Sequence, residues 1–142
     1  MTIAAILRGK GDKVFSIATG KTMSEAVALL AERRIGAVPV MDGDAVVGLL
    51  SERDLLYGIA REGPGLLDRR VEEVMTTPLL TVSPGDSILA ALALMTKRRI
   101  RHLPVIDGGA LVGIVSIGDL VKLRIDLIEA DAEAMRHYIA GS

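Results

Sequence analysis

The sequence predicts an α/β (α+β) protein in which two β-α-β-β-α repeats pack sheet to sheet around a pseudo-twofold axis, followed by a long C-terminal helix. Three observations predict this fold. Half of the 142 residues are apolar, which is enough for a buried core. The stretch "RIGAVPVMDGDAVVGLLSERDL" (34–55) matches "RIRHLPVIDGGALVGIVSIGDL" (99–120) without a gap. Both stretches combine strand-like and helix-like apolar spacing in the same order.

Composition restricts the classes of function. Lys plus Arg (17) nearly balance Asp plus Glu (18), and the chain has one Phe, no Trp and no Cys. Balanced charge and scarce aromatic residues argue against binding to nucleic acid. A chain without cysteine has no disulfides or thiolate metal sites and is typical of a reducing compartment. Because no segment has the apolar length of a secretory signal or a membrane span, we expect a soluble, cytoplasmic protein with no membrane partner.

Each repeat opens with a short strand, a turn and an amphipathic helix. The predicted strands are 14–17 and 79–82, and the predicted helices are 22–33 and 87–98. In the first helix, Thr22 and Glu25 form a T-x-x-E capping box. Upstream, "IAAIL" (3–7) resembles "VEEVM" (71–75) at a larger offset than the rest, so the first copy carries three extra residues around "RGKGDK".

A β-hairpin follows in each copy. An aliphatic strand around Pro39 or Pro104 leads into an Asp-Gly turn, which suits the positive φ angles of a type I′ turn. The second strand ends at Ser51 or Ser116, where the last helix of the repeat begins. The helices of a repeat cover one face of its sheet, and we expect the other repeat to cover the second face.

The predicted organisation is one module made of two halves. Residues 1–60 form the first repeat, 61–70 a connector, 71–123 the second repeat and 124–142 a helical extension. Apolar residues in the last helix recur at spacings of 4 and 3, an a/d pattern: Val121, Ile125, Ile128, Ala132, Met135 and Ile139. Either this helix packs on its own domain or, as we favour because the first copy has no counterpart, it packs against a second subunit in a homodimer.

The repeated S-x-x-D pattern has two interpretations. At a strand-to-helix junction, Ser51 with Asp54 and Ser116 with Asp119 are explained as helix caps. Capping boxes prefer Glu or Gln at the last position, however, and the N–H groups of a helix N-terminus also bind anions. A serine for phosphate and a carboxylate for ribose hydroxyls would suit a nucleotide. Two such pairs in register therefore favour a pair of clefts as well as a pair of caps.

The chain resembles a tandem pair of CBS domains, the Bateman module, from about Ile3 to Leu123. The resemblance rests on "VEEVM", on "RIGAVPV" and "RIRHLPV", on the Asp-Gly hairpins and on both G-h-h-S-x-x-D runs, where h is aliphatic. It implies two clefts that each receive an adenosine-containing ligand. AMP, ADP or ATP is expected first, NAD or S-adenosylmethionine is a further option, and Mg²⁺ is an option with ATP. The resemblance also implies sensing rather than catalysis, and dimerisation into a disc.

The family pattern assigns roles to residues of this sequence. Asp54 and Asp119 match the ribose-binding acid, and Ser51 and Ser116 match the phosphate-binding hydroxyl. Further phosphate contacts are implied for Arg53, Arg101 and His102. The implied adenine pocket comprises Val14, Ser16, Ala37, Val38, Pro39, Thr76, Pro78, Leu80, Leu103 and Pro104. Because Arg101-His102 corresponds to Gly36-Ala37 in the first copy, we expect the two clefts to differ in affinity.

Other candidate residues have plainer explanations. His102 and His137 are the only histidines, and they lack the spacing of a metal site or a nucleophilic triad, so neither is expected. The basic runs at 33–34 and 97–99 either complement helix dipoles or contact phosphate. The sequence therefore favours a regulatory module that binds an adenine nucleotide and acts on an unidentified protein in trans. The alternative is a ligand-independent dimerisation or adaptor domain with vestigial clefts.

Overall fold

A computed structural model describes residues 1–11 and 13–141. The first half contains α1 (Ile3–Lys10), β1 (Ile17–Ala18), α2 (Met23–Arg33), β2 (Ala37–Asp42), β3 (Ala45–Ser51), α3 (Glu52–Glu62) and a 3-10 helix (Gly63–Asp68). The second half contains α4 (Val71–Val74), α5 (Ile88–Arg98), β4 (His102–Asp107), β5 (Ala110–Ser116) and α6 (Ile117–Ala140). The predicted fold class, with its repeated units and long final helix, is confirmed.

The two hairpins share one register. Strands β2 and β3 pair antiparallel with Ala37 opposite Ser51, and β4 and β5 pair with His102 opposite Ser116. Each hairpin has an irregularity at the same place, between residues 40 and 41 and between residues 105 and 106. The predicted internal repeat therefore extends to the detailed geometry of the strands.

The strands that open the repeats are shorter than predicted. Strand β1 has two residues and pairs parallel with β2, and the predicted strand 79–82 is reduced to a bridge between Val82 and Val105. Val82 accepts a hydrogen bond from Ile106 and donates one to the carbonyl of Pro104. To extend each parallel ladder toward the start of the repeat, the N–H of Pro39 or Pro104 would have to donate a hydrogen bond. Proline has no N–H, so the opening strands stay short.

The hairpin turns also differ from the prediction. Their central residues are 43–44 and 108–109, one position later than an Asp-Gly turn, because Asp42 pairs with Ala45 in the ladder. Gly108 and Gly109 both have positive φ (58° and 83°), as a type I′ turn requires, whereas in the first turn only Gly43 does (61°). The first turn, with Asp44 at its second central position, is therefore not a type I′ turn.

Each repeat has its own core, completed by the helix that precedes the other repeat. Ile3 and Ile6 of α1 pack with β4, β5 and α5 in the second core, whereas Val71 of α4 packs in the first core. Residues 1–10 therefore belong by packing to the second repeat, although they precede the first. The segment predicted as a connector contributes Leu66, which is buried in the first core beside α2.

The second face of each sheet is also covered. Side chains alternate along β2, so Ala37 and Pro39 lie opposite the core residues Val38 and Val40, and all four are buried. Gly36 lies against the ring of His102, so the two repeats meet at this face. Helix α6, by contrast, leaves the core after its first turns, and Ile128 and Met135 are 52% and 58% exposed.

Candidate functional site

Both S-x-x-D pairs form capping boxes at strand-to-helix junctions. The Ser51 hydroxyl accepts a hydrogen bond from the Asp54 N–H (3.3 Å), and the Asp54 carboxylate accepts one from the Ser51 N–H (2.9 Å). The same pair of bonds joins Ser116 and Asp119, at 3.1 and 2.8 Å. The predicted capping role is confirmed at both junctions, and the shorter Asp side chain reaches back well enough to form the box.

A cleft of about 480 Å³ opens at the second of these junctions. Three parts of the chain meet there: the segment after α1, the end of α2 with the start of β2, and the strands β4 and β5. The residues that line the cleft are Leu7, Lys10, Gly11, Lys13, Phe15, Arg34, Ile35, Gly36, Ala37, His102, Gly113, Ile114 and Ser116. Its volume lies within the range of small-molecule sites.

The walls of the cleft are apolar and basic. Phe15, Ile35 and Ile114 supply apolar surface, while Lys10 and Arg34 supply positive charge together with Lys13. No carboxylate occurs among the described residues that line it. The N-terminus of α6 adds its free N–H groups and the positive end of its dipole. Such a site attracts an anionic ligand that also carries an apolar ring.

The carboxylate of Asp119 lies beside the cleft and is held by Lys10. Asp119 Oδ2 accepts hydrogen bonds from Lys10 Nζ (2.7 Å) and from the N–H of Ser116, and Lys10 Nζ also donates to the carbonyl of Ile114 (3.0 Å). Partial burial by itself raises the pKa of Asp119, but the bonds from Lys10 and Ser116 outweigh it and lower that pKa. Asp119 is therefore ionised at neutral pH and can accept hydroxyl hydrogen bonds.

The first junction is covered differently. Asp54 Oδ2 is engaged by Ser51, and Asp54 Oδ1 accepts a hydrogen bond from the Thr76 hydroxyl (2.9 Å). Thr76 is fixed over this position by two backbone hydrogen bonds with Leu49, of 2.8 and 3.3 Å. Ser51 does not line the cleft, whereas its counterpart Ser116 does. Thr76 therefore occupies at the first junction the place that Lys10 occupies at the second.

The structure brings only some of the predicted site residues to the cleft. Ala37, His102 and Ser116 line it. Val38 and Leu103 are fully buried in the two cores instead, because the alternation of side chains along a strand turns them to the other face of their sheets.

The remaining predicted residues lie elsewhere. Arg53 donates to the backbone carbonyl of Arg99 (3.0 Å), and Arg101 is exposed outside the cleft lining. The others are half-buried (Val14), exposed (Ser16, Pro78), buried (Pro39, Pro104) or packed against the second core (Leu80).

Four lining residues with a charged or aromatic side chain lie outside the predicted site: Lys10, Lys13, Phe15 and Arg34, although phosphate contact by the basic run at 33–34 was one of the two options. Two of them, the lysines, belong to "RGKGDK", the place where the first copy has its three extra residues. That interruption of the repeat was the available signal. Phe15 lies between the predicted Val14 and Ser16, and the guanidinium of Arg33 stacks over its ring at 4.6 Å.

His102 is the histidine that lines the cleft. Burial lowers its pKa, the nearby charge of Arg101 lowers it further, and the carboxylates of Glu52 and Asp119 oppose the shift. The imidazole is therefore neutral at neutral pH and can act as a hydrogen-bond donor or acceptor.

Comparisons with known proteins agree with this architecture. The family model for the CBS domain matches residues 11–61 and 71–126. The mitochondrial CBS domain-containing protein CBSX3 of Arabidopsis thaliana is 32% identical over 99% of this chain and 72% of its own length. A putative signal-transduction protein with CBS domains from Burkholderia ambifaria has a TM-score of 0.84 and 40% identity, over 89% of this chain and 95% of its own.

A more distant structure shares the fold. The CBS domain pair of protein MJ0100, solved in complex with 5′-methylthioadenosine and S-adenosyl-L-methionine, has a TM-score of 0.77 at 23% identity, over 87% of this chain and 94% of its own.

Within residues 1–11 and 13–141 of the present chain, no helix is long and apolar enough to cross a membrane. The same residues contain no group of three or more His, Asp or Glu side chains placed to hold a metal ion.

Proposed function

The chain belongs to the CBS domain family as a tandem pair, and from that premise we propose that it is a regulatory module that binds an adenosine-containing nucleotide in the cleft at Ser116. One observation carries the proposal: the cleft combines an apolar wall with a cluster of basic side chains, and one of these, Lys10, bonds the neighbouring ribose-type acceptor Asp119. The first junction lacks this combination, because Thr76 covers Asp54.

Each part of a nucleotide has a matching surface in the cleft. The adenine ring packs against Phe15, Ile35 and Ala37, and the ribose hydroxyls donate to Asp119. The phosphates meet the Ser116 hydroxyl, the N-terminus of α6 and the basic side chains. A capped helix N-terminus keeps this capacity because the box engages only some of its N–H groups.

Regulation follows from where the cleft lies. Its lining comes from both repeats, so a bound ligand stabilises the arrangement in which the repeats are placed as seen here. An unidentified protein partner in trans then binds one arrangement of the repeats better than the other, so the ligand controls that binding. A reducing compartment such as the cytoplasm stays a prediction that rests on the cysteine-free composition.

Thermal unfolding with AMP, ADP, ATP with and without Mg²⁺, NAD and S-adenosylmethionine tests the proposal. A ligand at a hundred times its Kd adds about 2.7 kcal/mol to the free energy of unfolding. Asp119→Asn should lose this stabilisation, whereas Glu129→Gln, an exposed change on α6, should keep it. The absence of any shift at millimolar concentration would contradict the proposed function.

A second candidate function, dimerisation or adaptor activity without a ligand, is favoured by the surface of α6. The predicted a/d positions Val121, Ile125, Ile128 and Met135 are exposed by 43–58%, and such a stripe is typical of a helix that packs on a partner. We propose that two copies associate through it into a homodimer. Sedimentation equilibrium should show a dimer that Ile128→Asp dissociates and Glu129→Gln does not. A wild-type monomer at micromolar concentration would rule the homodimer out.

A further inference from the structure

We infer that Lys10 makes the cleft at Ser116 selective for adenine nucleotides that carry a polyphosphate, by giving up Asp119 to the ribose and taking phosphate in exchange. The inference rests on the proposed function and deepens it by naming the class of ligand and the residue that selects it. It begins from the position of Lys10 at the last residue of α1, where its side chain crosses to β5 and α6.

Lys10 holds the carboxylate that the ribose needs. Asp119 Oδ2 accepts one hydrogen bond from Lys10 and one from the N–H of Ser116, and the Ser116 side chain also interacts with this carboxylate. A ribose presents two neighbouring hydroxyls, which a carboxylate accepts with both oxygens. The Lys10 ammonium must therefore move from Oδ2 when a ribose binds.

The cost of that movement depends on the ligand. A neutral nucleoside breaks the ion pair between Lys10 and Asp119 and gives the ammonium no anion in return. A polyphosphate supplies oxygens in a cleft that Lys13 and Arg34 also line, and charge-assisted hydrogen bonds to phosphate replace the lost pair. The Lys10 side chain is 41% exposed, so it is free to turn toward the cleft without unpacking a core.

A cationic ligand is disfavoured for the same reason. S-adenosylmethionine carries a sulfonium, an ammonium and one carboxylate in place of phosphates, so its net charge is positive, and in this cleft it would approach three basic side chains: Lys10, Lys13 and Arg34. Like charges at such distances repel, and they do so more strongly where water is partly excluded. The electrostatics of the site therefore select for negative charge on the 5′ substituent.

The first junction shows that this selectivity is not a general consequence of the S-x-x-D motif. There the acid is covered by the neutral hydroxyl of Thr76, which donates to Asp54 Oδ1. Displacing a hydroxyl breaks no ion pair and releases no cation that needs a new partner. Selectivity for polyphosphate belongs to the second junction because Lys10 lies in "RGKGDK", the segment in which the first copy has its three extra residues.

Isothermal titration of the full chain with adenosine, AMP, ADP, ATP and S-adenosylmethionine tests the inference. Wild-type affinity should rise from adenosine to ATP, with S-adenosylmethionine weaker than ATP. Lys10→Met should weaken ATP about tenfold or more, as expected for loss of a charged hydrogen bond, while adenosine stays unchanged or binds more tightly. Lys10→Arg should restore the increase in affinity from adenosine to ATP. Lys122 is an exposed lysine of α6 outside the cleft, and Lys122→Met should bind all ligands as the wild type does.

The outcomes separate this inference from the proposed function. Equal loss of adenosine and ATP in Lys10→Met would show a merely structural role for Lys10 and overturn the inference. Equal wild-type affinity for adenosine and ATP would also overturn it, while leaving the proposed nucleotide site in place. If the folded wild-type chain binds none of the ligands at millimolar concentration, the proposed function and the inference fail together.

Discussion

The two strand-to-helix junctions have the same motif and the same capping geometry, yet only the second borders the described cleft. Ser51–Asp54 and Ser116–Asp119 form equivalent capping boxes. The difference lies in what covers them, a threonine after α4 at the first junction and a lysine at the end of α1 at the second. A repeated motif thus builds the same local structure twice, and the neighbouring segment decides whether a site results.

That neighbouring segment comes from the other end of the chain. Helix α1 precedes the first repeat but completes the second core, and α4 precedes the second repeat but completes the first core. Leu7 fills the space above Gly113, and Met75 fills the equivalent space above Gly48. The exchange places Lys10 and Lys13 at the cleft beside the second junction, and this is why the two junctions differ in charge.

Substitutions that test the exchange of helices are expected to have the largest effect on the free energy of unfolding. Ile3 and Val71 are equivalent residues, both fully buried, and truncation to Ala should cost about 2–4 kcal/mol of unfolding free energy for Ile3 and somewhat less for Val71. Hydrogen exchange should lose protection in β4 and β5 with Ile3→Ala, and in β2 and β3 with Val71→Ala. Loss of protection in the nearer repeat in sequence would contradict the exchange.

The hairpin turns give a smaller effect. Gly109 has a φ of 83° whereas its counterpart Asp44 does not have a positive φ. Gly109→Asp should therefore lower the free energy of unfolding by about 1 kcal/mol, measured by urea denaturation, whereas Asp44→Gly should have a smaller effect. Equal effects of the two substitutions would show that the turns are alike.

The smallest expected effect is the pH dependence that His102 confers. Burial and Arg101 lower its pKa below the ordinary 6.5, against the opposing charges of Glu52 and Asp119, and Lys10 lowers it slightly more. The unfolded chain therefore binds a proton more readily than the folded one. The stability that neutral His102 contributes is therefore fully present above pH 6.5 and is lost as the pH falls below that value.

Urea denaturation between pH 7.5 and 5 should show this loss in the wild-type chain. The matched variant His102→Gln should show a weaker dependence over the same interval, since the carboxylates titrate mainly below it. An unchanged dependence in His102→Gln would assign the effect to other groups. The equivalent position in the first repeat is Ala37, which does not titrate, so this position adds no pH dependence to the stability of the first repeat.

Much of this structure could be predicted from the sequence, because its patterns are local. Apolar spacing, capping residues and glycines predict α2, α3, α5, α6, the hairpins and both S-x-x-D capping boxes, whereas helices α1 and α4 were not predicted. The short opening strands depend on which N–H would meet Pro39 or Pro104 across the ladder, which requires the pairing register. The exchange of α1 and α4 depends on contacts between segments far apart in the sequence, and Lys10 and Asp119 are 109 positions apart; no local pattern contains such contacts.

The most direct test of the difference between the junctions is the stoichiometry of ADP binding, measured by titration calorimetry on the wild-type chain and on the matched variants Asp54→Asn and Asp119→Asn. The structure predicts one tight site per chain, kept in Asp54→Asn and lost in Asp119→Asn. Two sites of equal affinity, or loss of the tight site in Asp54→Asn, would contradict the conclusion that the cleft at Ser116 is the nucleotide site.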